Sequence, residues 1–370
     1  MKAVAVFPHE REIRLIDQPE PRLKGGRDVK VRILDVGVCG TDKEICAFHY
    51  GFPPEGSDHL VIGHEAIGEV VDVGSEVKGF KPGDLAVMTV RRPCPHDNCP
   101  SCKEWRQDFC YTGDFVERGI KQRHGFMTEY VLDHERYMLP VPKSLRDIAV
   151  LIEPLTIAEK ALIEVWQVQQ RLPWSCPSAN GKNKPGHCHH AVVLGAGPIG
   201  LLGAMAFANA GFSTFVYSRE DEDSEKARLV RSFGATYVSA EKTPVEQLVD
   251  RVGTIDVVYE ATGASRLSFD VLKQCGPNAA FVFTGVPGLK GPASVDTDFI
   301  MRQMVLRNQV LLGTVNAGRD AFEAAIRDLG EFKQRWPDAI RKIITGRFPV
   351  ESYREQLLGT AGIKNVIAFG

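Results

Sequence analysis

The chain lacks a surplus of charge of either sign. Among its 370 residues, 45 Lys and Arg nearly cancel 47 Asp and Glu, for a formal net charge of -2. That balance removes the bulk electrostatic reason to expect nucleic acid or an anionic membrane as a partner, and a small molecule is expected instead. A signal-peptide core is also missing. The opening MKAVAVFPHEREIR offers only the AVAVF run before charges return, so the cytoplasm is the expected location. There is no internal repeat. Residues 191–217 are uncharged over more than the roughly 20 residues that span a bilayer, but five glycines, Pro198 and Asn209 break them up. They read as a strand-like AVVL, a glycine turn, a helix-like LLGAMAFANA and a strand-like STFVYS, a buried strand-helix-strand unit rather than a membrane helix. What remains, 44% apolar and 25% charged, describes a soluble protein with a large core. Its length suggests two or three domains of roughly 150 residues each.

Cysteine is the informative residue. Nine of them, an odd number in a chain without export signals, argue against a disulfide framework and for metal or redox chemistry. Cys94, Cys99, Cys102 and Cys110 fall within seventeen residues, CPHDNCPSCKEWRQDFC. One loop this dense in thiolates can wrap a tetrahedral zinc at about 2.3 Å per sulfur, and four protein ligands leave no open position for a substrate. A structural zinc lobe over about residues 91–113 is therefore expected. His96 lies inside the loop and could replace a cysteine, though four thiolates suffice. Residues 171–190, RLPWSCPSANGKNKPGHCHH, gather Cys176, His187, Cys188, His189 and His190. This polar, Pro- and Gly-rich insertion reads as a flexible surface loop, with a third metal site as the alternative. Cys46 and Cys275 have no ligand-like neighbours and read as packing residues.

A second set of ligand-type residues is scattered, as catalytic zinc sites usually are. Cys39 lies in DVGVCGTDKE, His64 and Glu65 in VIGHEAIGEVVDVGSEV, and Glu153 in LIEPLTIAEKA. Gly195, Gly197 and Gly200 form GAGPIG, with Pro198 and Ile199 between them, after the strand-like AVVL and before an apolar helix. In that context the glycines permit a tight turn, close backbone approach to a pyrophosphate, and helix-on-strand packing. IDVVYEATGAS and AAFVFTGVPG read as later strands of the same parallel sheet. Their ends, with Thr262, Gly285 and Val286, are candidates to face the cofactor. At the tip of the second strand stand Ser218 and Arg219, then Glu220, Asp221, Glu222 and Asp223. Serine and arginine in this position favour NADP, while the acids keep NAD as the alternative.

These motifs together resemble the medium-chain zinc-dependent alcohol dehydrogenase family over nearly the whole chain: CGTD, GHE, FKPGDLAV, the four-cysteine lobe, EPLTIAEKA and GAGPIG. The resemblance implies an α/β fold. A GroES-like, β-rich catalytic domain would span 1–155, a Rossmann domain with a doubly wound parallel sheet 156–311, and a C-terminal completion of the catalytic domain 312–370. It implies two zinc ions per chain, the catalytic one on Cys39 and His64. Where many members place another cysteine, this chain has Glu153. That departure, with ERGIKQRHGFMTEYV at 117–131 and LLGTVNAG at 311–318, looks like the glucose dehydrogenase branch, in which the glutamate of GHE, here Glu65, also serves the metal.

A carboxylate in place of a thiolate makes zinc a stronger Lewis acid and a looser guest. Thr41 would receive the hydroxyl proton as hydride leaves carbon. Glu117 and Asn316 match positions that hold sugar hydroxyls in that branch, Asn316 also lying near the cofactor, and His124 is a further candidate to line the site. Val90 stands where some members of the branch place an amide. The expected reaction is oxidation of an aldose, D-glucose first, at its C1 hydroxyl to the lactone. A polyol dehydrogenase, a zinc-free quinone reductase of the same superfamily and a zinc-binding interaction module are the rivals. A homodimer or homotetramer is expected from the family.

Overall fold

In a computed structural model, which describes residues 1–177, 184–288 and 291–369, the chain divides into two compact units. The first comprises Met1–Thr156, Asn316–Gly330 and Ile340–Gly370, and the second Ile157–Val315 with Glu331–Ala339.

The first unit is organised on the strand Asp28–Gly37. It pairs antiparallel with Glu65–Val73 on one side and with the C-terminal strand Lys364–Ala368 on the other, inside a seven-stranded sheet. Alternation of Val29, Val31 and Ile33 sends one face of this strand into a core shared with Val36, Ile62, Ala66, Val70, Phe126 and Ile367. Apolar burial of this kind stabilises by about 25 cal/mol per Å². A separate three-stranded sheet, Arg91–Arg92, Val116–Arg118 and Gln122–Arg123, lies next in sequence to the cysteine loop.

The second unit holds a six-stranded sheet in which every pairing is parallel. Its order runs Thr236–Ser239, Ser213–Ser218, His190–Leu194, Val257–Glu260, Ala280–Phe283, Val310–Gly313. Numbered along the chain that is 3-2-1-4-5-6, the doubly wound order with its switch point between the first and fourth strands. The uncharged run at 191–217 is the strand His190–Leu194, the helix Pro198–Asn209 and the strand Ser213–Ser218. No helix among the described residues is long and apolar enough to cross a membrane.

The insertion at 171–190 departs from the expectation of a disulfide-free, flexible loop. Cys176 and Cys188 form a disulfide, and Trp174 is buried with its ring stacked on His189 at 4.3 Å between centroids. The apolar partners Trp166 and Phe212 explain why this polar segment folds back: they give Trp174 a surface to cover. The alternative metal set survives only as proximity, since Cys176, Cys188 and His189 place ligand atoms within 4.8 Å of one another. Residues 178–183 of the insertion lie outside the described residues.

Candidate active site

Cys39 ends the loop after the strand Asp28–Gly37 and caps the helix Gly40–Cys46, whose third residue, Asp42, is fully buried. Asp42 accepts the backbone N–H of Cys39 at 2.9 Å and that of Gly63 at 3.2 Å, tying the cysteine turn to the turn before His64. Gly63 takes φ +87°, and a side chain there would run into Met127. His64 and Glu65 follow at once, so one turn and one strand start aim two donors at the cysteine. The ligand atoms of Cys39, His64 and Glu65 lie within 4.8 Å of one another. Thr41, in the first turn of the same helix, is half-buried.

Glu65 sits opposite Gly37 in the strand pairing, and any Cβ at that glycine would overlap Oε2 of the glutamate. Both carboxylate oxygens accept from Lys364 Nζ, at 2.7 and 2.6 Å, and the ammonium also donates to the Val38 carbonyl at 3.1 Å. Lysine and glutamate are each about 1% exposed, a buried pair whose charges would be costly separately. Nothing local in the sequence marks Lys364.

Glu153 occupies the first turn of the helix Ile152–Gln169 and is buried. It does not join the tight set formed by the other three, but it lies within their electrostatic reach. Burial pushes its carboxyl up to about 7, with Glu65 and Asp42 adding to the rise while His64 and Lys364 oppose it. His64 shows the converse. Burial works against its charged form, yet Asp42 and Cys39 outweigh that and raise it well above the ordinary histidine value. Its Nδ1 is 3.4 Å from Asp42 Oδ1 and makes no hydrogen bond. A buried imidazole, a thiol and a buried carboxyl with ligand atoms within 4.8 Å of one another, and a second buried carboxyl in electrostatic reach, form a donor set that fits a divalent metal such as zinc.

The four cysteines of the loop form a second set, their sulfurs also within 4.8 Å of one another. Cys94, Cys99 and Cys102 are buried and Cys110 half-buried. The backbone N–H groups of Cys102 and Tyr111 lower the Cys99 pKa, favouring a thiolate, which fits the set for a soft cation. His96 is not part of it: its Nε2 meets Asp114 Oδ2 at 2.8 Å on the surface. Cys46 and Cys275 are buried packing residues, with burial pushing each thiol up to about 12.

At the switch point of the parallel sheet, Gly195 takes φ +99°, and a Cβ on it would stand 2.7 Å from Thr262 Cγ2. Gly200 packs its Cα against the Gly195 carbonyl, leaving no room for a side chain. Gly197, by contrast, faces open space at the N-terminus of the helix begun by Pro198 and Ile199. That opening is what a pyrophosphate needs at a helix N-terminus. Thr262 donates from both N and Oγ1 to Glu260 Oε1 at 2.6 Å, and Gly263 N adds a bond at 2.9 Å. Gly285 N reaches the other oxygen, Oε2, at 3.2 Å. The buried Glu260, absent from the sequence reading, thus gathers both loop ends. Val286 next to Gly285 is exposed.

Glu117 is buried and accepts from Arg91 Nε at 3.0 Å and Asn316 Nδ2 at 3.1 Å. His124 takes the Val61 N–H on its Nδ1 and stacks on His59, and burial lowers its pKa to about 4.

A parallel 3-2-1-4-5-6 sheet, a β-rich unit with a Cys-His-Glu set and a four-thiol lobe define a medium-chain zinc-type dehydrogenase. Comparison with known proteins agrees. Residues 25–143 match the "Alcohol dehydrogenase GroES-like domain" and residues 146–369 the "Glucose dehydrogenase C-terminus". Glucose 1-dehydrogenase of Methanocella arvoryzae is 38% identical over 360 residues, 97% of this chain and 96% of the relative. That of Thermoproteus tenax is 39% identical over 365 residues, 97% and 96% of the two chains. The solved structure of Haloferax mediterranei glucose dehydrogenase in complex with NADP, Zn and gluconolactone superposes with a TM-score of 0.88 at 33% identity, covering 100% of this chain and 99% of the other. The chain belongs to the glucose dehydrogenase branch of the medium-chain zinc-dependent alcohol dehydrogenase family.

Proposed function

We propose that the protein is a zinc-dependent glucose 1-dehydrogenase that oxidises the sugar at its anomeric carbon with NADP as the preferred acceptor. The observation that carries this reading is the convergence of Cys39, His64 and Glu65 within 4.8 Å, beside a buried Glu153, in a chain of that branch. Cys39, His64, Glu153 and, directly or through water, Glu65 would hold the catalytic zinc, and Cys94, Cys99, Cys102 and Cys110 the structural one. When bound, the catalytic zinc supplies a positive charge that makes the anomeric hydroxyl easier to deprotonate.

The protein's own residues do the rest. Thr41 relays the hydroxyl proton, its oxygen accepting that proton as it releases its own to solvent, while the hydride leaves C1 for the nicotinamide ring. The C–O bond becomes the lactone carbonyl and NADP becomes NADPH, so proton and electron pair are both accounted for. Glu117 and Asn316 receive sugar hydroxyls. Gly195, Gly197, Pro198, Ile199 and Gly200 take the pyrophosphate, and Thr262, Gly285 and Val286 the nicotinamide end.

The NADP preference is supported at the strand tip. Arg219 is exposed, while the neighbouring acids are engaged by cations: Glu220 by Lys226 at 2.5 Å, Asp221 by Lys242 at 3.1 Å and Glu222 by Arg251 at 3.9 Å. Ser218 donates to Glu220 at 2.6 Å. With these three acids occupied, Arg219 is an exposed cation available to meet a 2′-phosphate. A dimer or tetramer belongs to the same reading, and the helix Thr297–Leu306, which exposes Met301, Val305 and Leu306, supports it with an apolar face.

A panel of aldoses and polyols with each cofactor, run beside metal analysis, tests the proposal. Glucose with NADP is expected to give the highest kcat/KM in a protein with two zinc ions per chain. Turnover of polyols alone, or one zinc confined to the cysteine lobe, would overturn it. Arg219→Gln is expected to raise KM for NADP about tenfold while leaving that for NAD unchanged.

A further inference from the structure

Arg91 belongs to none of the motifs, yet it joins two of them. Its side chain is 7% exposed and reaches in two directions. Nε donates to Glu117 Oε1 at 3.0 Å, and Nη1 donates to the carbonyls of Asp108 at 3.1 Å and Gln107 at 3.5 Å. Gln107 returns a bond from its Nε2 to the Arg91 carbonyl at 3.4 Å. The guanidinium plane lies over the Phe115 ring, 3.6 Å from its centroid. Gln107 and Asp108 form the short turn that ends at Cys110, the last cysteine of the lobe. The arginine therefore has its fork fixed by the lobe backbone and its face fixed by an aromatic ring, so its Nε–H points one way only.

That one way is Glu117. The glutamate Oε1 is filled by two donors, Arg91 Nε and Asn316 Nδ2, and among the described residues none donates to Oε2, which leaves it for a third. Asn316 is itself held in the left-handed region at φ +59°, with its Oδ1 accepting the Ala317 N–H at 2.9 Å. A buried carboxylate gains from the cation beside it, and the Asn316 amide is oriented by its bond to the same oxygen.

We propose that Arg91 is a positioning residue for sugar recognition. It draws Glu117, and through it Asn316, from the cysteine lobe into the orientation in which Glu117 presents Oε2 to a sugar hydroxyl. Arg91 touches neither sugar nor cofactor. The proposal rests on the reading above that Glu117 and Asn316 hold the substrate.

The test is a kinetic double-mutant cycle on the zinc-loaded enzyme with Arg91→Lys, Glu117→Gln and the pair together. Lysine keeps the positive charge but gathers its donors on one compact ammonium, without the planar fork by which separate nitrogens of Arg91 reach the lobe carbonyls and the carboxylate. Arg91→Lys is expected to raise KM for glucose about tenfold, leave kcat within about twofold, and leave KM for NADP and both zinc ions unchanged. The double variant is expected to match Glu117→Gln alone. A deoxy analogue of glucose lacking the hydroxyl that Glu117 receives should be insensitive to Arg91→Lys, a readout that a merely structural role would not give. KM effects that multiply in the double variant, or a glucose KM untouched by Arg91→Lys while Glu117→Gln raises it, would overturn the positioning role. A glucose KM untouched by Glu117→Gln would instead overturn the substrate reading on which it rests. Should Arg91→Lys lower the melting midpoint or the zinc content, Phe115→Leu, which removes the ring that Arg91 and Lys121 both face, is expected to shift glucose KM in the same direction by a smaller factor, and an unchanged KM there counts against the proposal.

Discussion

Cys94, Cys99, Cys102 and Cys110 come from one loop of seventeen residues, whereas Cys39, His64, Glu65 and Glu153 come from three segments far apart in the chain. The first set draws all four of its ligands from one short stretch of chain. Its four soft donors are alike, and backbone N–H groups of the loop itself already favour a thiolate at Cys99. The second set is mixed in charge and hardness, and it is assembled by outside groups: Asp42 ties the turns, Gly37 makes room for Glu65, and Lys364 neutralises it. Four like ligands closed by one loop suit a permanent ion. Unlike ligands brought together by tertiary structure suit an ion that has to exchange partners with a substrate.

That contrast breaks most visibly at Glu153. Glu153→Ala is expected to cut kcat/KM for glucose by about three powers of ten and to leave one zinc per chain, in the lobe. Steady-state kinetics with metal analysis checks it, and full turnover with two zinc ions retained would remove Glu153 from the ligand set. The lobe should respond in the opposite currency. Cys99→Ser is expected to lose the lobe metal and on the order of 3 kcal/mol of stability, read as a lower melting midpoint, while kcat of the folded enzyme changes less than about threefold.

A third difference is in protons. In the metal-free protein Glu153, raised to about 7 by burial, and His64, raised by Asp42 and Cys39 against its burial, both hold protons that an incoming cation must expel. Zinc affinity at this set should therefore fall as pH drops below 7, by about tenfold per pH unit for each proton displaced. Competition with a chromophoric chelator across that range measures it, and Glu153→Gln should remove one proton from the slope. The smallest effect concerns glycines. Gly37→Ala, which forces Glu65 aside, is expected to lower kcat about tenfold. Gly113→Ala in the loop, where φ is +73° and the space is open, should cost about 1 kcal/mol of stability and leave kcat alone.

Much of this was legible in sequence because the signals are local. CGTD, GHE and the dense cysteines carry their own spacing, and GAGPIG sits between an apolar strand and an apolar helix, as the sheet order requires. Even Asp42 left a trace, three residues after Cys39 at the start of a helix, in the place where a capping carboxylate belongs. The groups that were not legible act at a distance. Lys364 meets a glutamate 299 positions away. Arg91 shows its purpose only when Glu117 and the turn at Gln107 fold against it. The Cys176–Cys188 disulfide hid inside a composition that reads as loop, because its fold depends on Trp174 finding Trp166 and Phe212. Spacing declares neighbours along the chain; it is silent about partners that only the closed core brings together.

The Lys364–Glu65 pair also orders events in time. At about 5–20 residues per second of synthesis, the 299 residues from the one after Glu65 through Lys364 take roughly 15 to 60 s to make. Throughout that interval a nascent chain carries Cys39, His64 and Glu65 without the cation that neutralises the glutamate, and without the strand Lys364–Ala368 that closes the sheet beside Asp28–Gly37. The cysteine loop can be complete while most of the polypeptide is still unmade. The candidate catalytic centre is finished only once the strand Lys364–Ala368 has been made, so its completion reports on every segment from Cys39 to that strand.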